Sequence, residues 1–217
     1  AEEEAEAAMQ INADGAGFLA KMCRYHHVQL IHISTDFVFD GKKSSPYTEG
    51  DQPNPASMYG QSKYEGEKKV LELNPEALII RTSWLYSAFG KNFVKTMLRM
   101  GEERDELRVV NDQIGTPTYA ADLAKAIMVI ISRHELRGKG GIYHYSNEGV
   151  ASWYDFAKAI MELGGIDCNV MPITTAEYPT PAKRPPFSVL EKKKIKNTFG
   201  LEIPYWRESL EKMLERV

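Results

Sequence analysis

Short apolar runs alternate along this chain with longer stretches of helical spacing, and no other feature narrows the fold so far. Runs at 28–33, 77–80, 107–110 and 142–145 read as strands, and 170–173 as a fifth. Helical spacing covers 2–25, 59–73, 92–101, 120–133 and 153–163, with two short helices near Glu191 and Trp206. The strands read as continuous apolar runs, not as apolar and polar residues in turn. Such strands are buried on both faces, which calls for a parallel sheet with helices on each side. The expected fold is α/β, a doubly wound parallel sheet within 1–147 followed by a smaller α/β region at 148–217; residues 87–102 are free to pack with the latter. Ligands of such sheets collect where strands end at their carboxyl edge. The residues after Ile33, Ile80 and Val110 are therefore the ones to search.

The 217 residues are 43% hydrophobic and 26% charged, enough apolar material for a sizeable core. Lys and Arg number 27 against 30 Asp and Glu, a net charge of −3, where a nucleic-acid binder shows a basic surplus. No apolar run reaches the roughly 18 residues of a membrane-spanning helix, and nothing in these residues signals secretion. The expectation is a cytoplasmic protein with neither nucleic acid nor membrane as partner. Cys23 and Cys168 lie far apart and read as free thiols of a reducing compartment. With His26 and His27 they lack metal-ligand spacing, so the residues by themselves point to no metal site. The chain opens on strong helix formers with no cap or turn ahead of them, and the expectation is that further sequence lay upstream of Ala1.

Gly15-Ala-Gly17-Phe-Leu-Ala20 has the spelling of a dinucleotide fingerprint. The mechanism needs a strand ahead of the glycines, so that a pyrophosphate meets a helix start. A Glu/Ala-rich helix precedes them here, and close helix packing is the better account. Tyr-x-x-x-Lys places a phenol and an ammonium on one helix face. The ammonium would lower the phenol's pKa and let the tyrosine exchange a proton. With 11 Tyr and 17 Lys, about one such pair is expected by chance, and the chain holds three: Tyr59/Lys63, Tyr64/Lys68 and Tyr154/Lys158. Context selects the first. Tyr59 opens its helix directly after a proline-rich loop, and Thr35 follows an apolar strand at the expected carboxyl edge. Tyr64 points roughly 140° away around the helix, and Tyr154 has no strand-end hydroxyl ahead of it.

Six motifs then occur in order: Ser34-Thr35-Asp36-Phe-Val-Phe39, Tyr59-Gly-Gln-Ser-Lys63, Arg81-Thr-Ser-Trp84-Leu-Tyr86, Asn92-Phe-Val, Asp112-Gln-Ile-Gly115-Thr-Pro-Thr118 and Arg184-Pro-Pro-Phe-Ser188. The series resembles the dTDP-4-dehydrorhamnose reductases, extended short-chain dehydrogenase/reductases, over nearly the whole chain. The resemblance implies a Rossmann-type sheet with a substrate-binding region, and reduction of a keto-sugar nucleotide by NADPH or NADH to dTDP-L-rhamnose. Tyr59 would be the general acid, Lys63 would hold the nicotinamide ribose, and Thr35 would orient the carbonyl. Asn12 would support Lys63 and so belong with Tyr59 and Lys63 at the cofactor. Asp36 and Trp84 would contact the deoxysugar, and Arg184 would meet the diphosphate of the dTDP-sugar. Some members of the family bind Mg²⁺ at a dimer contact, so Mg²⁺ and a homodimer join the expectations.

The chain departs from the family at Phe37, where Tyr is common, and at Phe187, where Asn is often seen. It also lacks the family's glycine-rich first strand-turn-helix and the residue that reads the adenosine ribose. Two other readings stay open. One is a non-catalytic regulatory subunit like the beta subunit of methionine adenosyltransferase, in which Trp84 and Arg184 have no required role. The other is a sibling sugar-nucleotide epimerase or reductase. With no glycine-rich cradle for the pyrophosphate, these 217 residues alone are expected to bind NADPH poorly and to turn over little. A titration of the chain with NADPH checks this, and micromolar binding would contradict it.

Overall fold

The computed structural model describes residues 1–132, 136 and 138–217. In chain order its elements are α1 (Ala5–Met9), a π-helical turn (Gln10–Gly15), α2 (Ala16–Tyr25), β1 (Ile31–Thr35), α3 (Met58–Leu73), β2 (Leu78–Thr82), β3 (Leu85–Tyr86), α4 (Phe93–Glu103), β4 (Glu106–Val110), β5 (Ile114–Gly115), β6 (Thr118–Tyr119), α5 (Ala120–Ser132), β7 (Gly141–His144), β8 (Ala151–Ser152), α6 (Trp153–Gly164), β9 (Asn169–Ile173), α7 (Lys193–Phe199) and α8 (Trp206–Leu214). The expected end of the fifth helix, Arg133, lies outside the described residues.

The central sheet is parallel, in the order β1-β2-β7, with Ile31 opposite Leu78, Thr35 opposite Thr82 and Leu78 opposite Gly141. Helices cover both of its faces. Leu78 and Ile80 pack on one side with Leu123, Ile130, Ile195 and Phe199, while Ile79 packs on the other with Ala16, Ala20 and Val70. This two-sided burial is why β2 reads as an unbroken apolar run. β1 begins three residues later than the apolar run that announced it and continues through Ser34 and Thr35. The ladder, and not hydrophobicity, carries the strand into the hydroxyl residues.

The 107–110 run is a correction. β4 does not join the central sheet; it pairs in parallel with β9, Leu107 opposite Val170. Glu106 and Arg108 face solvent while Leu107 and Val109 are buried, so the strand alternates and is covered on one side only. The core beneath it gathers Val94 and Met97 of α4, Phe156 and Ile160 of α6, and Leu210 and Met213 of α8. The end of β4 is therefore not part of the central sheet's carboxyl edge, and the chain after it comes back to the end of β2 only at Gly115–Thr118.

The first helix is interrupted by one π-helical turn around Asn12. There α3 comes so close that a side chain on Gly66 would collide with the Asn12 carbonyl oxygen, and one on Gly17 would press against Lys69 and Leu73. Gly17 of the fingerprint-like stretch thus serves helix packing, a Cβ on Gly15 would meet only Gln10 O of the same helical segment, and no strand lies ahead of either.

α3 is tied to β2 by one buried ion pair. Arg81 Nε and Nη2 donate to Glu67 Oε1 and Oε2 at 2.9 and 2.6 Å, and each side chain is 1% exposed. Removing one partner of such a pair strands a charge in the interior. Glu67→Ala should cost about 3–5 kcal/mol in urea denaturation. Glu103→Ala, which breaks the exposed Arg99–Glu103 pair, should cost less than about 1 kcal/mol.

Candidate active site

Tyr59 reaches the end of β1 because the first turn of α3 is pressed against the chain that leaves it. Ser57 caps the helix, its Oγ accepting from Gly60 N at 3.1 Å. The Glu2 carboxylate accepts from the free N–H groups of Met58 and Tyr59, each at 3.1 Å, as an anion suits a helix N-terminus. Gly60 is required by the contact, since a side chain there would run into the Phe37 carbonyl oxygen. The Phe37 ring meets the Tyr59 ring edge-on at 5.6 Å, so the residue that departs from the family pattern packs on the phenol's ring.

The result is a cleft of about 730 Å³ at the carboxyl edge of β1 and β2, bordered by Thr35, Asp36, Tyr59, Lys63, Trp84 and Arg184. Six of the seven site residues expected from sequence therefore share one cavity. Asn12 stands behind it. Its Nδ2 donates to Ser62 Oγ at 3.0 Å, and Ser62 in turn donates to the Tyr59 carbonyl. It braces the first turn of α3 and makes no hydrogen bond to Lys63, whose Nζ donates to Ile33 O at 2.7 Å. A hollow of about 800 Å³ between the ends of α2 and α3, lined by Lys21, Arg24 and Glu72 among others, contains none of the expected residues.

Thr35 is a junction. Its hydroxyl accepts from Phe37 N at 3.2 Å and donates to Asp36 Oδ1 at 3.1 Å, and it borders the same cleft as Tyr59. Burial raises the phenol's pKa above its ordinary value; the Thr35 hydroxyl opposes this and the Asp36 charge adds to it. This corrects the expectation that Lys63 lowers it. The ammonium is engaged with the Ile33 carbonyl, and its own pKa is lowered by burial against the opposing pull of Glu67. Asp36 is 2% exposed. Burial lifts its carboxyl to about 6, opposed by hydrogen bonds from Ser188 and Thr35, and Oδ2 has no partner.

Trp84 is held in a left-handed backbone conformation, φ 46°, which for a bulky residue costs on the order of 1–3 kcal/mol. The Asp112–Thr118 motif pins it there. Thr118 N donates to the Trp84 carbonyl at 3.1 Å, and Ser83 Oγ donates to Thr116 O at 2.8 Å. Trp153, at the start of α6, stacks on the Trp84 indole. Sequence reasoning missed Trp153 and Ser188. Ser188 closes the Arg184-Pro-Pro-Phe-Ser188 motif, a signal that could have found it. Trp153 had only its place beside the discounted Tyr154. Phe187, the other departure, packs toward Tyr47 at 6.4 Å.

Among the described residues no three His, Cys, Asp or Glu side chains gather to hold a metal ion, so the Mg²⁺ that the resemblance implies has no ligand set within them. No helix among them is long and apolar enough to cross a membrane. Cys23 and Cys168 are free thiols.

The family model described as RmlD substrate binding domain matches residues 1–217. The chain is 46% identical to a dTDP-4-dehydrorhamnose reductase of Sinorhizobium fredii, over 99% of this chain and 75% of that protein. It superposes with a TM-score of 0.94 on the crystal structure of a dTDP-4-dehydrorhamnose reductase from Clostridium acetobutylicum, at 45% identity over 99% of this chain and 75% of the other. A Bacillus anthracis dTDP-4-dehydrorhamnose reductase in complex with NADP matches with a TM-score of 0.93 and 42% identity, over 100% of this chain and 76% of the other. By its match from first residue to last and by these identities, the chain belongs to the dTDP-4-dehydrorhamnose reductase family.

Proposed function

We propose that this chain carries the catalytic and sugar-nucleotide-binding part of an NAD(P)H-dependent reductase, which converts the C4 ketone of dTDP-4-dehydro-L-rhamnose to the hydroxyl of dTDP-L-rhamnose. The observation that carries the reading is the meeting of Thr35, Tyr59 and Lys63 with Trp84 and Arg184 in one cleft. A regulatory subunit has no use for the second pair, which favours the enzyme.

The reduced nicotinamide, when bound, supplies a hydride to the carbonyl carbon. The nicotinamide-ribose end fits what is present. Lys63 borders the cleft and spends one N–H on Ile33 O, which leaves two donors for ribose hydroxyls. As negative charge builds on the ketone oxygen, Tyr59 transfers its phenolic proton to that oxygen. The phenol is protonated at neutral pH, and because burial raises its pKa and so weakens it as a donor, the transfer is driven by the negative charge that builds on the ketone oxygen. The Thr35 hydroxyl, turned from Asp36 Oδ1 toward the substrate, donates its one proton to the same oxygen and fixes its direction. Trp84 offers an indole face to the sugar's C–H groups, and Arg184 offers a planar fork to the diphosphate. Asp36, nearly sealed from solvent, acts on the sugar site through Thr35 and Ser188. NADPH is the cofactor favoured by the NADP complex of the Bacillus anthracis relative. A homodimer and a cytoplasmic setting belong to the same reading.

With a relative's glycine-rich nucleotide-binding unit joined ahead of Ala1, nicotinamide absorbance follows turnover of the keto-sugar nucleotide. Tyr59→Phe should lower kcat by about 10²–10⁴ with little change in KM; activity within tenfold of the parent would remove Tyr59 as the acid.

Asp36 gives a pH prediction with a definite sign. Its folded pKa of about 6 stands above the ordinary 3.8, so the folded state holds the proton more tightly than the unfolded chain does. Stability should therefore fall as pH rises from about 4 to about 6, by roughly 3 kcal/mol in all. Asp36→Asn should abolish that slope and be the more stable protein at pH 7. Urea denaturation across pH 4–8 measures both, and parallel curves for the two proteins would refute the assignment.

A further inference from the structure

Trp153 lies outside the six motifs that mark the site, yet two parts of the cleft meet on its ring. The Trp84 indole lies flat against it, centroids 3.7 Å apart and planes within 8° of parallel. The Arg184 guanidinium carbon stands 5.7 Å from the centre of the same Trp153 ring, within the range of a cation–π contact. A separation of 3.7 Å is van der Waals contact between rings, so no sugar enters between them. What this stack leaves exposed of Trp84 lines the cleft.

Trp153 is in turn fixed from behind. It is the first residue of α6, whose start is closed by the reciprocal Ser152–Asp155 capping box. Its ring packs against Phe93 at 4.7 Å and Phe156 at 6.5 Å, both part of the large core under β4 and β9. Gly115 completes the frame, for a Cβ there would lie 2.6 Å from the Trp84 ring. The chain thus holds Trp84 upright between a fixed indole and a position that tolerates no side chain.

We propose that Trp153 is a positioning residue for a nucleoside diphosphate sugar, setting the distance between the sugar-stacking face of Trp84 and the diphosphate fork of Arg184. This deepens the reductase reading and rests on it. A guanidinium held beside an indole by a cation–π contact keeps N–H groups free for phosphate oxygens. A stack built before the ligand arrives spares the ordering cost of two large side chains on binding. Trp153 makes this contribution through Trp84 and Arg184 and need not touch the ligand.

The test is calorimetric titration of the 217-residue chain with dTDP-L-rhamnose, without cofactor, alongside far-ultraviolet circular dichroism, where two stacked indoles give a coupled signal. Trp153→Leu should abolish that signal and raise Kd at least tenfold. Trp153→Phe, which keeps a ring against Phe93 and Phe156, should raise it only a few-fold. Adding Trp84→Ala to Trp153→Leu should cost less than threefold more, because Trp153 acts through Trp84. A Kd for Trp153→Leu within twofold of the parent, or costs that multiply independently, would overturn the proposal and leave the reductase reading intact. Should Trp153→Leu not fold, a Kd for Trp153→Phe equal to the parent's would overturn it equally. If the parent chain binds no dTDP-L-rhamnose, the sugar-nucleotide reading falls and takes this inference with it.

Discussion

Arg81 and Glu67 close on each other where water does not reach, and the cleft inherits its shape from that closure. Tyr59, Lys63 and Glu67 follow one another at four-residue steps along α3, so they share a face. Arg81 belongs to β2, whose chain runs on through Ser83 into Trp84. The two-pronged bond between Glu67 and Arg81 therefore locks the helix that carries the acid to the strand that leads to the sugar platform. Two charges are costly to take out of water; the two-pronged bond offsets part of that loss, while Arg81 Nη1 is left buried with no hydrogen-bond partner. Gly60 lets α3 approach the chain that leaves β1 at Phe37, and Gly66 lets it approach the π-helical turn at Asn12.

Within that frame the electrostatics keep a proton available. Burial holds the Tyr59 phenol protonated, and the nearby Asp36 charge acts in the same direction. Lys63 is engaged by a strand carbonyl, so its first service to the site is to stay in place beside the phenol. Asp36 is the group that burial disfavours most plainly at neutral pH, with a half-unsatisfied carboxyl against Thr35. Such local cost is typical of residues kept for chemistry and not for stability.

The sugar side is built differently, from a strained tryptophan and the loops that hold it. The Asp112–Thr118 stretch supplies the carbonyl and the N–H that keep Ser83 and Trp84 in an unfavourable turn. Its role is to impose a conformation, which is why a motif with little acid–base chemistry of its own marks the family so well. The core of α4, α6 and α8 then brings Trp153 up from the far end of the chain.

Much of this was legible along the chain. The doubly covered parallel sheet followed from unbroken apolar runs, since strands such as β2 have no polar face. Thr35, Tyr59 and Lys63 followed from a loop, a helix start and a strand end. What the chain could not disclose was pairing. The 107–110 run looked like its neighbours until β9, some sixty residues on, took it out of the central sheet. Trp153 gave no signal along the chain because its stacking partner is far away in sequence, and the contact of the Asn12 amide with Ser62 is likewise a matter of tertiary pairing. The lowered phenol pKa expected from Tyr-x-x-x-Lys gave way to burial. Periodicity and spacing are local, and they determine which segments form and which chemistry each carries. Burial, partner choice and the state of a proton depend on every segment that arrives from elsewhere, and only the packed tertiary structure decides them.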